Sequence, residues 1–595
     1  MASRDPIPLT GASLPDPDRR LPRRYFLKTA TAFLVATSAS TSLLAACSPP
    51  ASAPAPTAQP LATAPAAPAA TAPAAQPAAK PTAAPAGAAA GAAGAAGGKL
   101  TVAVILEPGS LDPAQQVWAP GVAILKNVVE TLVDLDDKGQ THPRLAASWD
   151  ISPDGTVWTW HLRDGISFQD GTPFNADAVK FNFDRILDPA TKSQTGVALI
   201  GPYKSSEVVD PKTVRMTFSQ PYAPLLANLS TVVLGIVSPA AVKKLGQDFG
   251  NNPVGTGPYT MTEWVRGDHA TVTRWDKYVN TSELTQHKGP PYLDSMVIRF
   301  IPEDQTRLAT LKNGEVDYMF NIPALDVGGL KSDSKYQTFE NMFTGDPTMF
   351  LINRQLTPTD DLAVAQALEF AVNKEVISKI ATSNTSPVAW GPLKPTNWGY
   401  NPEIEKLYRF DPEQAKQGLD KAGWTPGAGG LRTKDGKDGK LVINVKDDKL
   451  TVSMLTAIQG MLQAVGLDLE IRTMALAASE DLARQGKNNL TFMDWRGTDP
   501  DILTVHFHSS NIGGWNMGYF KNDEVDKLLD SARTTVDPQK RLPMYQQAQT
   551  LIMQQAATLP LFNQVAVDGA KATLQGVRFD ATKYYPEWYD ASWKA

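Results

Sequence analysis

The sequence predicts an α/β protein built of two or three lobes, and three observations carry that prediction. From Lys99 onward, short β-branched and aromatic runs alternate with amphipathic helical stretches, the order that builds α/β layers with mostly parallel or mixed sheets. This part of the chain runs for about 500 residues, more than one hydrophobic core usually organises. It shows no internal repeat of the roughly 20–50 residues that would indicate a solenoid or propeller.

The elements follow in order. Residues 99–105 read as a strand that enters a loop at Glu107-Pro108-Gly109, and residues 122–132 place Ile124, Leu125, Val128, Val129 and Leu132 on one helical face. Residues 156–162, β-branched and aromatic, are a strand. Gly155, Gly165 and Gly171 are expected at positive φ in the turns of a small antiparallel ribbon. Asn175 or Thr172 caps a helix running through Val179, Phe183 and Ile186. Gly255-Thr256-Gly257-Pro258 is expected to turn the chain sharply where it returns from one lobe to another. It is no dinucleotide fingerprint, because Thr260 stands where a third glycine belongs. One long helix is expected over 361–380, then a helix opened by Asp411-Pro412 and stopped at Gly423. Residues 441–445 and 467–471 read as strands, with a helix over 454–465 between them.

The segment ahead of Lys99 has a different character. Arg23-Arg24-Tyr25-Phe26-Leu27-Lys28 precedes an uncharged stretch, 29–46, that ends in small residues before Cys47. A basic segment, an apolar segment and a small-residue cleavage site read as an export signal over 1–46. Its length would suit a membrane span, but Thr31, Thr37, Ser38, Ser40, Thr41 and Ser42 make it polar for that purpose. Leu44-Ala45-Ala46-Cys47 resembles the lipobox of bacterial lipoproteins, which implies lipidation of Cys47 and an anchor in the cell membrane. The arginine pair resembles a twin-arginine signal, which implies export of an already folded chain. Residues 47–98 then form a linker of Ala, Pro, Gly and Thr whose only charge is Lys80. It holds too few apolar groups to offset the entropy of ordering it, and reads as a stalk.

Composition narrows the function. The chain carries a formal charge of −5, and six basic against three acidic residues ahead of Cys47 leave −8 on the remainder. Such an acidic surface argues against nucleic acid as a partner. Cys47 is the only cysteine, so the exported domain has no disulfide, no thiolate metal site and no cysteine nucleophile. There is no Gly-x-Ser-x-Gly elbow and no His-Glu-x-x-His. His506 and His508 are the only closely spaced histidines and read as a polar surface pair, not metal ligands. No cofactor and no metal are expected. The thirteen Trp and fifteen Tyr are mostly core, with some available to line a site for an organic ligand.

A series of motifs spans nearly all of residues 99–595. Ser110-Leu111-Asp112-Pro113 is followed by Pro143-Arg144-Leu145-Ala146-Ala147-Ser148-Trp149, Asp154-Gly155 and His161-Leu162-Arg163-Asp164-Gly165. Pro253-Val254-Gly255-Thr256-Gly257-Pro258-Tyr259, Asn313-Gly314-Glu315-Val316-Asp317 and Phe350-Leu351-Ile352-Asn353 come next. Asp499-Pro500-Asp501 and Asn522-Asp523-Glu524-Val525-Asp526 complete the series. In this order and spacing the chain resembles the extracellular solute-binding proteins of family 5, the peptide and nickel binders of ABC importers.

The resemblance implies a periplasmic-binding-protein-like α/β fold, with two lobes around a cleft and an extra small domain on the first lobe. Lobe I would comprise 99–130, 253–345 and 561–595, the extra domain 131–252 and lobe II 346–560. It implies a monomeric protein that captures a peptide-like or related small solute and delivers it to membrane permease subunits. A metal chelate or an oligosaccharide is the alternative solute, and a secreted hydrolase or an adhesin the rival class. From the first lobe it implies ligand contact by Val117 and Trp118. From the second it implies contact by Asp494, Trp495, Arg496 and Asp499, with Trp515 and Asn516 adding a stacking face and an amide. Peptide-binding relatives place an aspartate four residues before the proline of the Asp-Pro pair, where this chain has Arg496. Either a two-residue gap brings Asp494 into that role, or an arginine faces the ligand, or Arg496 pairs with Asp499 or Asp501.

Overall fold

The structure is a computed structural model that describes residues 97–115 and 119–594. The export signal, Cys47, most of the linker, Val117 and Trp118 lie outside the described residues.

Lys99–Val104 is buried at every position but Lys99, as expected of a strand covered on both faces. It runs parallel to Ser295–Phe300 on one side and to Tyr318–Met319 on the other. These strands centre a seven-stranded sheet, which Val565–Lys571 and Tyr336–Met342 extend at one edge and His269–Arg274 and Tyr259–Val265 at the other. Helix Ala119–Val128 packs its Ile124, Leu125 and Val128 into the core against this sheet. The helix is shorter than its apolar pattern, ending at Val128 instead of 132, and the glycine pair explains why. Gly257 N donates to the Val128 carbonyl. A Cβ on Gly255 or Gly257 would lie 2.2 or 2.6 Å from Val128 backbone atoms. Neither glycine has a positive φ, so close approach, not a sharp turn, demands them.

The second layer is a four-stranded antiparallel sheet in the order Ala146–Ile151, Val157–Leu162, Thr213–Phe218, Tyr203–Asp210. Burial alternates along Val157–Leu162 and Thr213–Phe218. Trp158, Trp160, Val214 and Met216 therefore face one core, the period-two signature of a half-buried sheet. Gly155, Gly165 and Gly171 take φ of 72, 73 and 83°. Asn175, not Thr172, caps helix Ala176–Leu187 by accepting from Ala178 N. The Thr172 hydroxyl instead donates to Asp170.

The third group centres on Thr348–Ile352, flanked by Leu490–Met493 and Thr558–Phe562. The parallel pair Lys440–Lys446 and Asp468–Met474 joins it in one core with its covering helices. The expected long helix is two: Leu362–Ala371, capped by Asp361, and Lys374–Thr382, capped by Asn373 through Val376 N. An asparagine side chain that takes over a free amide suffices to restart the helix without Gly or Pro. Asp448 starts helix Lys449–Gln463 a turn and a half earlier than the apolar period suggested.

The chain passes from strand Tyr336–Met342 to Thr348–Ile352 through residues 343–347, and returns from Thr558–Phe562 to Val565–Lys571 through residues 563–564. These two short crossings lie side by side and position everything described below.

One buried carboxylate of the seven-stranded sheet gives a pH prediction. Asp568 accepts from Tyr318 OH at 2.5 Å and from Asn321 N at 2.9 Å. Even so, burial pushes its pKa up to about 7. A carboxyl with a raised folded pKa contributes stability that is full below the unfolded value, near 4, and is lost as pH rises through about 7. Urea unfolding of Asp568→Asn across pH 4–8 should therefore show a flatter profile than the wild type, with the difference on the order of a few kcal/mol at pH 8. Parallel profiles would mean that Asp568 is ionised throughout.

Candidate functional site

The site is built where the loop after strand Leu490–Met493 runs beside the first crossing. Asp346 N donates to the Trp495 carbonyl at 2.8 Å, and Gly345 bridges Arg496. Gly345 has φ +113°, and a Cβ there would lie 2.2 Å from the Trp495 carbonyl oxygen. Only glycine lets the two segments come this close. The second crossing holds the same loop from the other side, since Gln564 Nε2 donates to Asp494 Oδ2 at 2.6 Å.

Arg496 lies between two rings, its Cζ 4.7 Å from the Phe343 centroid and 4.1 Å from that of Tyr584. Such stacking holds a guanidinium in place without using its N–H donors. Among the described residues no carboxylate lies within ion-pairing distance of Arg496, and its guanidinium donates no hydrogen bond. Asp499 is taken by Arg541, which it meets through two hydrogen bonds of 2.7 and 2.9 Å. Asp501 pairs with Arg533 at 3.1 Å. The expectation that Arg496 pairs with Asp499 or Asp501 is thus corrected.

Behind Arg496 sits a buried lysine. Lys394 is 0 % exposed, with Nζ 3.2 Å from the Phe343 centroid. Burial holds its pKa well below the usual lysine range, against the pull of Asp494, while Arg496 adds to the fall. Asp346 and His506, both fully buried, stand 2.9 Å apart, and burial raises the Asp346 carboxyl.

A cavity of about 440 Å³ opens on this loop, within the usual size for a small-molecule site. Asp494, Trp495, Arg496, Gly497 and Thr498 form one wall. Val122, Asn228 and residues 230–233 form another, and Asp580, Ala581, Thr582 and Tyr585 a third. Asp494, Trp495 and Arg496 are therefore brought together.

Other sequence-derived candidates fall elsewhere. Asp499 is locked to Arg541 and does not line the cavity. Trp515 packs edge-on against Trp495, with centroids 4.7 Å apart, outside the cavity lining. Asn516 is fully buried, and its amide donates to the His508 and Phe520 carbonyls. It ties its own loop and offers no group to a ligand. His506 is buried against Asp346, and His508 turns to Asp530 at 3.3 Å, so the two do not form a surface pair. No group of three or more His, Cys, Asp or Glu among the described residues is placed to hold a metal ion. Sequence reasoning missed Phe343, Lys394, Gln564 and the 580–585 segment, of which only the Tyr584-Tyr585 doublet could have drawn notice.

The model of the bacterial extracellular solute-binding proteins, family 5 (middle), matches residues 140–514. The chain belongs to this family. Family 5 proteins are the extracytoplasmic solute-binding components of ABC importers. The glutathione-binding protein GsiB of Escherichia coli (strain K12) is 29% identical over 489 residues, covering 80% of this chain and 91% of that protein. The heme-binding protein A of Haemophilus influenzae is 32% identical over 454 residues, covering 72% and 80%. Among solved structures, NikA from Brucella suis in complex with Fe(III)-EDTA superposes with a TM-score of 0.74 at 26% identity, covering 84% of this chain and all of that one. The fold is that of the family, two α/β lobes around a cleft with an extra small domain on the first.

Proposed function

We propose that this protein captures a small solute bearing an anionic group in the 440 Å³ interlobe cavity and hands it to membrane permease subunits. The observation that carries the reading is Arg496: a permanent cation held between Phe343 and Tyr584, with no carboxylate partner among the described residues, at the cavity wall. A guanidinium so placed presents its donor fork to a carboxylate or phosphate. The relatives agree in chemistry, since glutathione, heme and EDTA all carry carboxylates. Peptide-like acids and metal chelates of polycarboxylates both satisfy the site.

Lobe I, the extra domain and lobe II would supply the cavity walls from 99–130 with 253–345 and 561–595, from 131–252 and from 346–560. Walls contributed by separate bodies favour ligand binding to the closed form, which shifts its population. The solute should then reduce the radius of gyration in solution scattering and raise the melting temperature by mass action. A panel of peptides, opines, oligosaccharides and metal chelates that moves neither observable would oppose the reading. The protein acts without turnover, so the solute should be recovered unchanged and in stoichiometric amount.

A lipid anchor at Cys47 completes the proposal and brings a monomer to the membrane face. Buried acyl chain supplies about 0.8 kcal/mol per methylene, and the acidic domain offers no substitute. Cys47→Ser should release the protein from the membrane fraction with solute affinity unchanged. A variant that still sediments with salt-washed membranes would exclude the anchor.

A further inference from the structure

A second and larger cavity, about 510 Å³, meets the first at Arg496, the one residue among those described that lines both. Its floor is the two crossings, through Phe343, Thr348, Phe562 and Gln564. One wall is the Asn321–Val327 stretch beside the seven-stranded sheet, and the other comes from the ends of helices Lys374–Thr382 and Lys449–Gln463.

The polar side chains around it are almost all engaged within the protein. Thr382 donates to the Ser378 carbonyl, Thr385 to the Thr382 carbonyl and Thr451 to Asp448. Ser386 Oγ accepts from Val565 N, Asn321 donates to Tyr584 OH, and Gln564 holds Asp494. What remains among the described residues is the Arg496 guanidinium, with the enclosed Thr348 hydroxyl and the Gln564 amide oxygen; the one lining carboxylate, Asp304, is mostly exposed and accepts from Arg307 at 2.6 Å. The apolar part of the surface comes from Ile322, Val327, Met454, Phe492 and Phe562. The rim continues in the same character: Leu325, next to the lining residue Ala324, is 88% exposed, and Leu450 on the facing wall is 47% exposed.

We propose that this cavity is a second ligand site, for a small monocarboxylate with an apolar body. The carboxylate meets Arg496 and the body fills the space between Ile322, Val327 and Met454. An apolar body lowers its free energy by leaving water, and one unpaired cation fixes its orientation. A neutral analogue gains only the first of these. Because one guanidinium serves both cavities, the monocarboxylate and the transported solute compete. That competition, though not the second site itself, rests on the function proposed above.

Calorimetry of the full chain with octanoate tests the site. One saturable binding event is expected, weakened by about tenfold or more in Ala324→Trp, which fills the cavity from one wall. Leu450→Trp, at an exposed position on the opposite wall, should do the same and serves if the first variant fails to fold. Ala581→Trp, at a position that lines the solute cavity and not the second one, should leave octanoate binding unchanged, and 1-octanol should bind at least about tenfold more weakly than octanoate. Absence of saturable binding, equal binding of 1-octanol, or loss through Ala581→Trp with retention in both second-cavity variants would each overturn the proposal. If octanoate binds as described but does not displace the solute, the second site stands and the shared use of Arg496 by the solute is refuted.

Discussion

Arg496→Ala should cost about 2–5 kcal/mol of solute affinity, roughly a 30- to 5,000-fold rise in Kd, because a desolvated anion loses its partner. Removing the side chain also removes the filler between Phe343 and Tyr584, so Arg496→Lys is the sharper control. Lysine keeps the charge but neither stacks as a plane nor offers two parallel donors, and should recover only part of the loss. Asp494→Asn should matter little, since Asp494 Oδ2 already accepts from Gln564 at 2.6 Å and an amide oxygen can do the same. If Asp494 anchors a ligand ammonium, the order reverses: Asp494→Asn abolishes binding and Arg496→Ala is mild. Calorimetry on the variants with a single solute separates the two.

Arg541→Ala should destabilise the fold by about 3–5 kcal/mol, the cost of leaving a buried charge without its partner. Arg541 is 3% exposed and grips Asp499 through both terminal nitrogens, with Tyr545 OH and the Ala532 carbonyl as further acceptors. Asp501 lies close by, and burial raises its pKa to about 6 even with Arg533 opposing. Loss of Arg541 therefore strands Asp499 beside a second buried acid. Replacing Asp499 and Arg541 together by Leu should restore much of the stability, because an apolar pair has no desolvation penalty. Urea unfolding of the single and double variants measures the coupling. A loss below about 1 kcal/mol in Arg541→Ala would show that the pair is solvated, as exposed pairs are.

The fold was legible wherever its cause is local. The alternation in Val157–Leu162, the cap at Asn175 and the Asp411-Pro412 start all appear at the residues that suggested them. The break at Val372-Asn373 was not, because the apolar face continues across it and only an asparagine side chain restarts the helix. The site was legible as a loop and not as a chemistry. Arg496 was readable as a residue out of pattern, but its meaning comes from Phe343 and Tyr584, which no periodicity connects to it. Gln564 and Asp494 are 70 residues apart in the chain, and the crossings alone bring them together. Residue type misled at Asn516, whose amide closes its own loop, and at Asp499, whose carboxylate is committed to Arg541. A side chain's donors can serve a ligand only if the protein has not already taken them, and that accounting needs the structure.

If Arg496 is the anchor, the solute is held by its acid. Calorimetry with one solute and its two blocked forms, amine acylated and acid esterified, tests it most directly. Binding should survive acylation of the amine and be lost on esterification of the acid. Loss on acylation with full binding of the ester would contradict it and place the anchor at Asp494.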